Sequence, residues 1–102
     1  ATAVLTSVED EKTVVTDYYL AQNYPNPFNP STKINYGLRK AGNVEISVYN
    51  ILGNKIATLI NEYKPAGNYS ALFDASNLSS GVYFYKIVTN EFVQTRKMIL
   101  EK

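Results

Sequence analysis

The side chains most able to do chemistry are few and poorly grouped. Asp74, Asn77 and Ser79 set three oxygen-bearing side chains within six residues, the kind of loop that holds calcium. A dedicated calcium cage draws on several carboxylates, and this loop has one. Arg96, Lys97 and Lys102 collect positive charge suited to anionic lipid or lipopolysaccharide, although charges alternating on a terminal strand also guard a sheet edge. Tyr83 and Tyr85 could stack on a sugar or peptide, but rings at period two in a strongly apolar strand more often pack a core, and they are read as packing. Asn68-Tyr69-Ser70 and Asn77-Leu78-Ser79 match the glycosylation pattern, which is short enough to arise by chance. Glu45, Glu62, Asp74, Glu91 and Glu101 are scattered, and the chain has neither His nor Cys. Imidazole and thiolate nucleophiles, disulfides and Cys/His zinc sites are thereby excluded, and no acid/base couple stands out. The expectation is no enzymatic activity, no cofactor and no metal.

The elements that would position such residues are strands. With 102 residues, 45% hydrophobic and 19% charged, the composition is that of one ordinary folded domain. Nine Tyr against four Phe and no Trp favour half-buried strand positions, where the ring packs and the hydroxyl stays wet. Ile34, Tyr36 and Leu38 alternate with polar neighbours up to a turn at 39–43. Val44, Ile46 and Val48 repeat the pattern up to Asn50-Ile51-Leu52-Gly53-Asn54, where Gly53 is expected at positive φ. Extended structure resumes over Lys55–Ile60, with a helix at Lys55–Glu62 as the weaker alternative. Tyr69, Ala71 and Phe73 alternate after Pro65-Ala66-Gly67, and a polar loop spans 74–81. Val82–Thr89 is apolar on both faces, which predicts a central strand covered on both sides. A tight turn at 89–91 leads to Phe92–Leu100, an antiparallel hairpin partner. Six core strands, with a possible seventh from the N-terminal region, predict an all-β, immunoglobulin-like antiparallel sandwich of about seven strands.

Ahead of these strands, Pro25, Pro27 and Pro30 put three prolines in six residues, forbidding helix and removing ladder donors. The surrounding Tyr, Phe and Leu predict an ordered loop, whose simplest role is to cap one end of the sandwich. The run Leu20-Ala21-Gln22-Asn23-Tyr24-Pro25-Asn26-Pro27-Phe28-Asn29-Pro30-Ser31-Thr32 comes first. It is followed by Val48-Tyr49-Asn50-Ile51-Leu52-Gly53, Leu78-Ser79-Ser80-Gly81-Val82-Tyr83-Phe84-Tyr85 and Lys97-Met98-Ile99-Leu100. In that order these blocks resemble the C-terminal sorting domain of the type IX secretion system. The same tail is similar to the immunoglobulin-like domain of flagellar hook-capping proteins.

The resemblance covers about residues 18–102. It implies a domain at the end of a larger exported protein, read by an outer-membrane translocon that passes a passenger to the cell surface or medium by way of the periplasm. It also implies a sortase that removes the tail and attaches the passenger to lipopolysaccharide. It assigns a recognition loop, Gln22, Asn23, Tyr24, Pro25, Asn26, Pro27, Phe28, Asn29 and Pro30, and a sorting motif, Gly81, Val82, Tyr83, Lys97 and Lys102.

Residues 1–17 fall outside the resemblance and are read as a linker or a donated strand. They carry one basic residue against four acidic, and residues 18–102 carry nine against five. Neither balance calls for nucleic acid. No run approaches the roughly 18 apolar residues of a membrane-spanning helix, and the start at Ala1 reads as that of a processed chain or an excised fragment. Two β-prone stretches, Thr2–Val8 and Thr13–Thr16, flank Glu9-Asp10-Glu11. This leaves a second reading beside sorting: an extracellular filament subunit, a homopolymer in which Thr2, Val4, Leu5 and Val8 lie on a strand donated to the next copy. A carbohydrate-binding module is a third class, supported by fold analogy alone.

Overall fold

Strict alternation in the second strand sends Thr32, Ile34, Tyr36 and Leu38 inward and leaves Lys33 and Asn35 outward, and the remaining strands are built on the same rule. The computed structural model describes residues 17–102. Within these residues seven strands run in the order β1 (Tyr19–Leu20), β2 (Ser31–Leu38), β3 (Gly42–Tyr49), β4 (Lys55–Lys64), β5 (Gly67–Asp74), β6 (Gly81–Val88) and β7 (Val93–Leu100). A three-stranded sheet, β1-β2-β5, packs on a four-stranded sheet, β4-β3-β6-β7, with every ladder antiparallel. The expected all-β sandwich is therefore present, and no helix occurs at Lys55–Glu62. The β-prone stretches Thr2–Val8 and Thr13–Thr16 lie outside the described residues. Within the described residues the seventh strand is Tyr19–Leu20.

Between the sheets lie Leu20, Phe28, Ile34, Tyr36, Leu38, Val44, Ile46, Val48, Ala71, Phe73, Tyr85, Ile87, Met98 and Leu100, all buried. β6 is central, as its apolar pattern predicts, but its second face is not roofed: Val82, Phe84, Lys86 and Val88 are half-buried. A two-layer sandwich leaves the outer face of a central strand to its flanking side chains alone, so the expected cover on both sides of β6 is not present among the described residues. β4 also runs four residues past Ile60, through Asn61-Glu62-Tyr63-Lys64. At an edge, backbone pairing with β3 sustains a strand whose side chains lack a buried apolar pattern.

The connections obey local chemistry. At the β3–β4 turn Asn50 Oδ1 accepts from the N–H groups of Leu52 and Asn54, both at 3.0 Å. Gly53 takes φ of 87°, as expected for the residue that turns the chain. The β6–β7 hairpin closes with Thr89 N donating to Phe92 O at 2.8 Å.

The two ends of the sandwich gather different segments. At one end Tyr18 stacks on Phe92 with centroids 5.6 Å apart, beside the β2–β3 and β6–β7 turns. The other end collects the β3–β4 turn, the start of β6 and the end of β7, because Tyr49 pairs with Phe84 and Gly81 with Leu100. The chain thus enters the fold at the opposite end from its final residues.

Tyr36 is one uncompensated feature. Its hydroxyl is buried and has no hydrogen-bond partner among the described residues, its ring stacks on Tyr69, and burial pushes its pKa up to about 12, with Tyr69 and Glu62 adding to the effect. In the unfolded chain a tyrosine loses its proton near pH 10. The folded pKa is thus the higher of the two, so this group's contribution to stability is intact below pH 10 and falls between about 10 and about 12. Tyr36→Phe is expected to leave stability at pH 7 unchanged or raised by about 1 kcal/mol and to flatten part of the alkaline decline. Urea denaturation at pH 7, 9 and 11 measures both.

Candidate functional site

An edge strand exposes a row of unpaired N–H and C=O groups, and β7 is such an edge in the four-stranded sheet. The Pro-rich segment answers those groups one after another. Gln22 Nε2 donates to Lys97 O at 2.7 Å, and Asn26 Oδ1 accepts from Ile99 N at 3.0 Å. Phe28 N donates to Ile99 O and Glu101 N donates to Phe28 O, each at 2.9 Å, in a parallel bridge between Phe28 and Leu100. The same segment also pairs with the opposite sheet. Ala21 N donates to Asn35 O, while Tyr24 and Lys33 exchange two bonds of 2.9 Å. Residues 21–28 therefore close one long side of the sandwich by joining both sheets, and their prolines cost little because side chains and alternate residues supply the bonds.

Two buried side chains hold this segment. Asn23, only 2% exposed, donates through Nδ2 to Pro25 O (3.1 Å) and to Thr32 Oγ1 (3.0 Å), and its Oδ1 accepts from Gln22. Phe28 packs against Phe73 with centroids 6.2 Å apart. From beneath, the Tyr85 hydroxyl donates to Ala21 O at 2.7 Å and accepts from Asn23 N at 2.8 Å. Burial raises the Tyr85 pKa, opposed by the Asn23 N–H and by Arg96. Arg96 Nε donates to Leu20 O at 2.5 Å, fixing the segment's entry.

The expected recognition loop is thus divided by its burial. Asn23 and Phe28 are anchors, and Gln22, Tyr24, Pro25, Asn26, Pro27, Asn29 and Pro30 are exposed, with Tyr24 at 78%. The expected sorting-motif residues sit on the β6–β7 hairpin at the same end. Gly81 opens β6 with φ of 153°, a conformation that side chains strain to reach. Val82 and Tyr83 pair with Ile99 and Met98, and the Tyr83 hydroxyl donates to Ser79 O. Lys97 is exposed, and Lys102 donates through Nζ to Ser76 O and through its N–H to Ser80 Oγ.

All four sequence blocks that carry the resemblance meet in this half of the molecule. The family model for the secretion system C-terminal sorting domain matches residues 22–101. The chain belongs to this family. Among curated proteins none matches the chain. As a sorting domain it carries a signal for export out of the cell, to the surface or medium.

Other candidates resolve differently. The Asp74 carboxylate is held below its usual range by bonds from the Ser76 hydroxyl and N–H, and among the described residues no group of three acidic residues could hold a metal. Tyr85 is a buried anchor rather than a stacking platform. Sequence reasoning missed Ile51 and Leu52, which the β3–β4 turn holds out at 73% and 81% exposure. The available signal was two large apolar residues inside a turn of otherwise polar type. Beside them a shallow groove of about 290 Å³ is lined by Tyr49, Asn50, Gly53, Phe84, Lys86 and Thr95.

If residues 21–28 keep the β7 edge closed, Phe28→Ala should cost about 3–5 kcal/mol. It should also speed hydrogen exchange at the Ile99 and Glu101 amides, while amides bonded between β6 and β7 change less. Unchanged exchange at those two amides would show that the segment does not seal the edge.

Proposed function

We propose that this sorting domain is read by the type IX outer-membrane translocon as a folded object, not as a linear tag, and that it performs no catalysis. One observation carries this reading: the Pro-rich segment and the last strand, about 70 residues apart in sequence, are brought together only in the folded domain. An unfolded tail would display neither the ridge of Tyr24, Pro25 and Pro27 nor its registration with Lys97.

The placement of the chain entry supports the same reading. A passenger preceding Tyr18 would attach at the Phe92 end, leaving the end with Gly81, Leu100 and Lys102 free to meet the machinery. The contacting residues on this proposal are the exposed ones: Tyr24, Ile51, Leu52, Lys97 and Lys102. The passenger then travels through the periplasm to the surface, where a sortase removes the domain and joins the passenger to lipopolysaccharide.

Placed behind a reporter and expressed in a bacterium with a type IX system, the whole chain should carry the reporter into the medium or onto the surface. Lys97→Glu combined with Lys102→Glu, and separately Leu52→Asp, should lower export at an unchanged urea midpoint, since these side chains bear on the fold weakly. Phe28→Ala should abolish export through loss of the folded signal. A parent fusion retained in the periplasm, or one exported equally well with Phe28→Ala, would sink the proposal.

A further inference from the structure

Among the described residues the sandwich is one strand short on one side. Its layers hold three and four strands; β1 adjoins β7 and β5 adjoins β4, so the place beside β5 and above β4 is open. Below it Ala57, Leu59 and Ile60 of β4 are only half-buried.

Of the four sheet edges, three are guarded. Residues 21–28 cover β7 and stitch β2 beyond the two-residue β1. β4 carries Lys55, Glu62 and Lys64 and shifts register twice against β3, between Ile46 and Ser47 and between Val48 and Tyr49. Such bulges and charges discourage further pairing. β5 has none of these devices. Its eight residues pair with β2 in unbroken register, contain no Pro, Lys, Arg or Glu, and place their single charge, Asp74, at the end. Among the described residues nothing outside β2 bonds its backbone. Leu72, on its outer face, is 74% exposed.

We propose that the bare edge of β5 receives the segment Thr2–Val8 of a second copy of this chain, completing the shorter sheet and joining copies head to tail. Thr2, Val4, Thr6 and Val8 fall on one face of such a strand and Ala3, Leu5 and Ser7 on the other, a β-branched pattern suited to pairing. One face covers the half-buried residues of β4 and the other lies beside Leu72. Thr2–Val8 carries no charge and the single charge of β5 stands at its end, so no like-charge contact opposes an added strand.

A second copy is the fitting donor because of where the chain enters. Tyr18 precedes β1, at the opposite edge of the sheet from β5. Docking on its own β5 would require the chain to double back across β2, and of the usual turn formers residues 9–17 hold only Asp10 and Asp17, with no Gly or Pro to shape that reversal. A strand passed to a neighbour generates a heterologous contact that propagates. This inference is independent of the sorting reading.

The test uses the full chain, followed by sedimentation velocity and negative-stain microscopy over a range of concentrations. The parent is expected to form linear polymers that lengthen with concentration. Val4→Pro, which removes a ladder donor outside the sandwich, should weaken association about tenfold or more, and Leu72→Lys should weaken it from the receiving side at an unchanged urea midpoint. Val4→Pro keeps an intact β5, so mixing it into the parent should shorten the polymers by capping them. A parent that stays monomeric at every concentration, with or without Thr2–Val8 protected from protease, would overturn the proposal. So would polymers that Val4→Pro neither loses nor shortens.

Discussion

The closed side of this molecule depends on one hydroxyl group. Tyr85 projects from the central strand of the larger sheet, donates to Ala21 O and accepts from Asn23 N. Without it the Pro-rich segment would have to leave two backbone groups unpaired near the core or swing outward to wet them, and an unmet buried polar group is costly. The hydroxyl thus fixes the height at which the segment crosses from one sheet to the other. That height decides which groups of β7 the segment meets: Lys97 O through Gln22, Ile99 N through Asn26, and Ile99 O through Phe28. The register of the exposed ridge against the last strand follows from a contact inside the fold.

Much of the architecture was legible because burial in a two-layer sandwich has a period of two. Ile34, Tyr36 and Leu38, then Val44, Ile46 and Val48, announce their faces directly, and Gly53 marks its turn. The extent of β4 was not legible beyond Ile60, since Asn61, Glu62 and Tyr63 are exposed and are held by backbone pairing with β3 and by an Asn43–Asn61 side-chain bond rather than by burial. The outer face of β6 misled for a related reason. Val82 and Phe84 look like core by composition, and they are partly shielded by neighbours on their own sheet rather than by another layer.

Within the site, residue types were readable and partnerships were not. Prolines and aromatics at 24–30 indicated an ordered loop, but nothing local in Gln22 or Asn26 points to Lys97 or Ile99, whose contacts lie more than 70 residues away. Tyr85 read correctly as packing, yet its anchoring of the loop lies in the hydroxyl, which a hydrophobic period does not register. Ile51 and Leu52 stand in a turn of otherwise polar type, and no period marks them as exposed. Only the geometry of the turn, with Asn50 Oδ1 binding two N–H groups, shows that both side chains are held away from the core.

The two long sides of the sandwich are treated in opposite ways by the same chain. One is sealed by 21–28, which spends its hydrogen bonds on edges that would otherwise recruit strangers, and the other ends in β5, uncharged along most of its length and, among the described residues, unpaired on one side. Accident is a poor explanation for this contrast, because β4, immediately beside β5, carries both bulges and charges. The asymmetry also separates surfaces in space. The ridge along β7 and the β3–β4 turn can be engaged without touching β5, so a contact made on the open side leaves the exposed residues of the sealed side accessible. A domain built this way can present a signal and hold a neighbour without the two competing for the same edge.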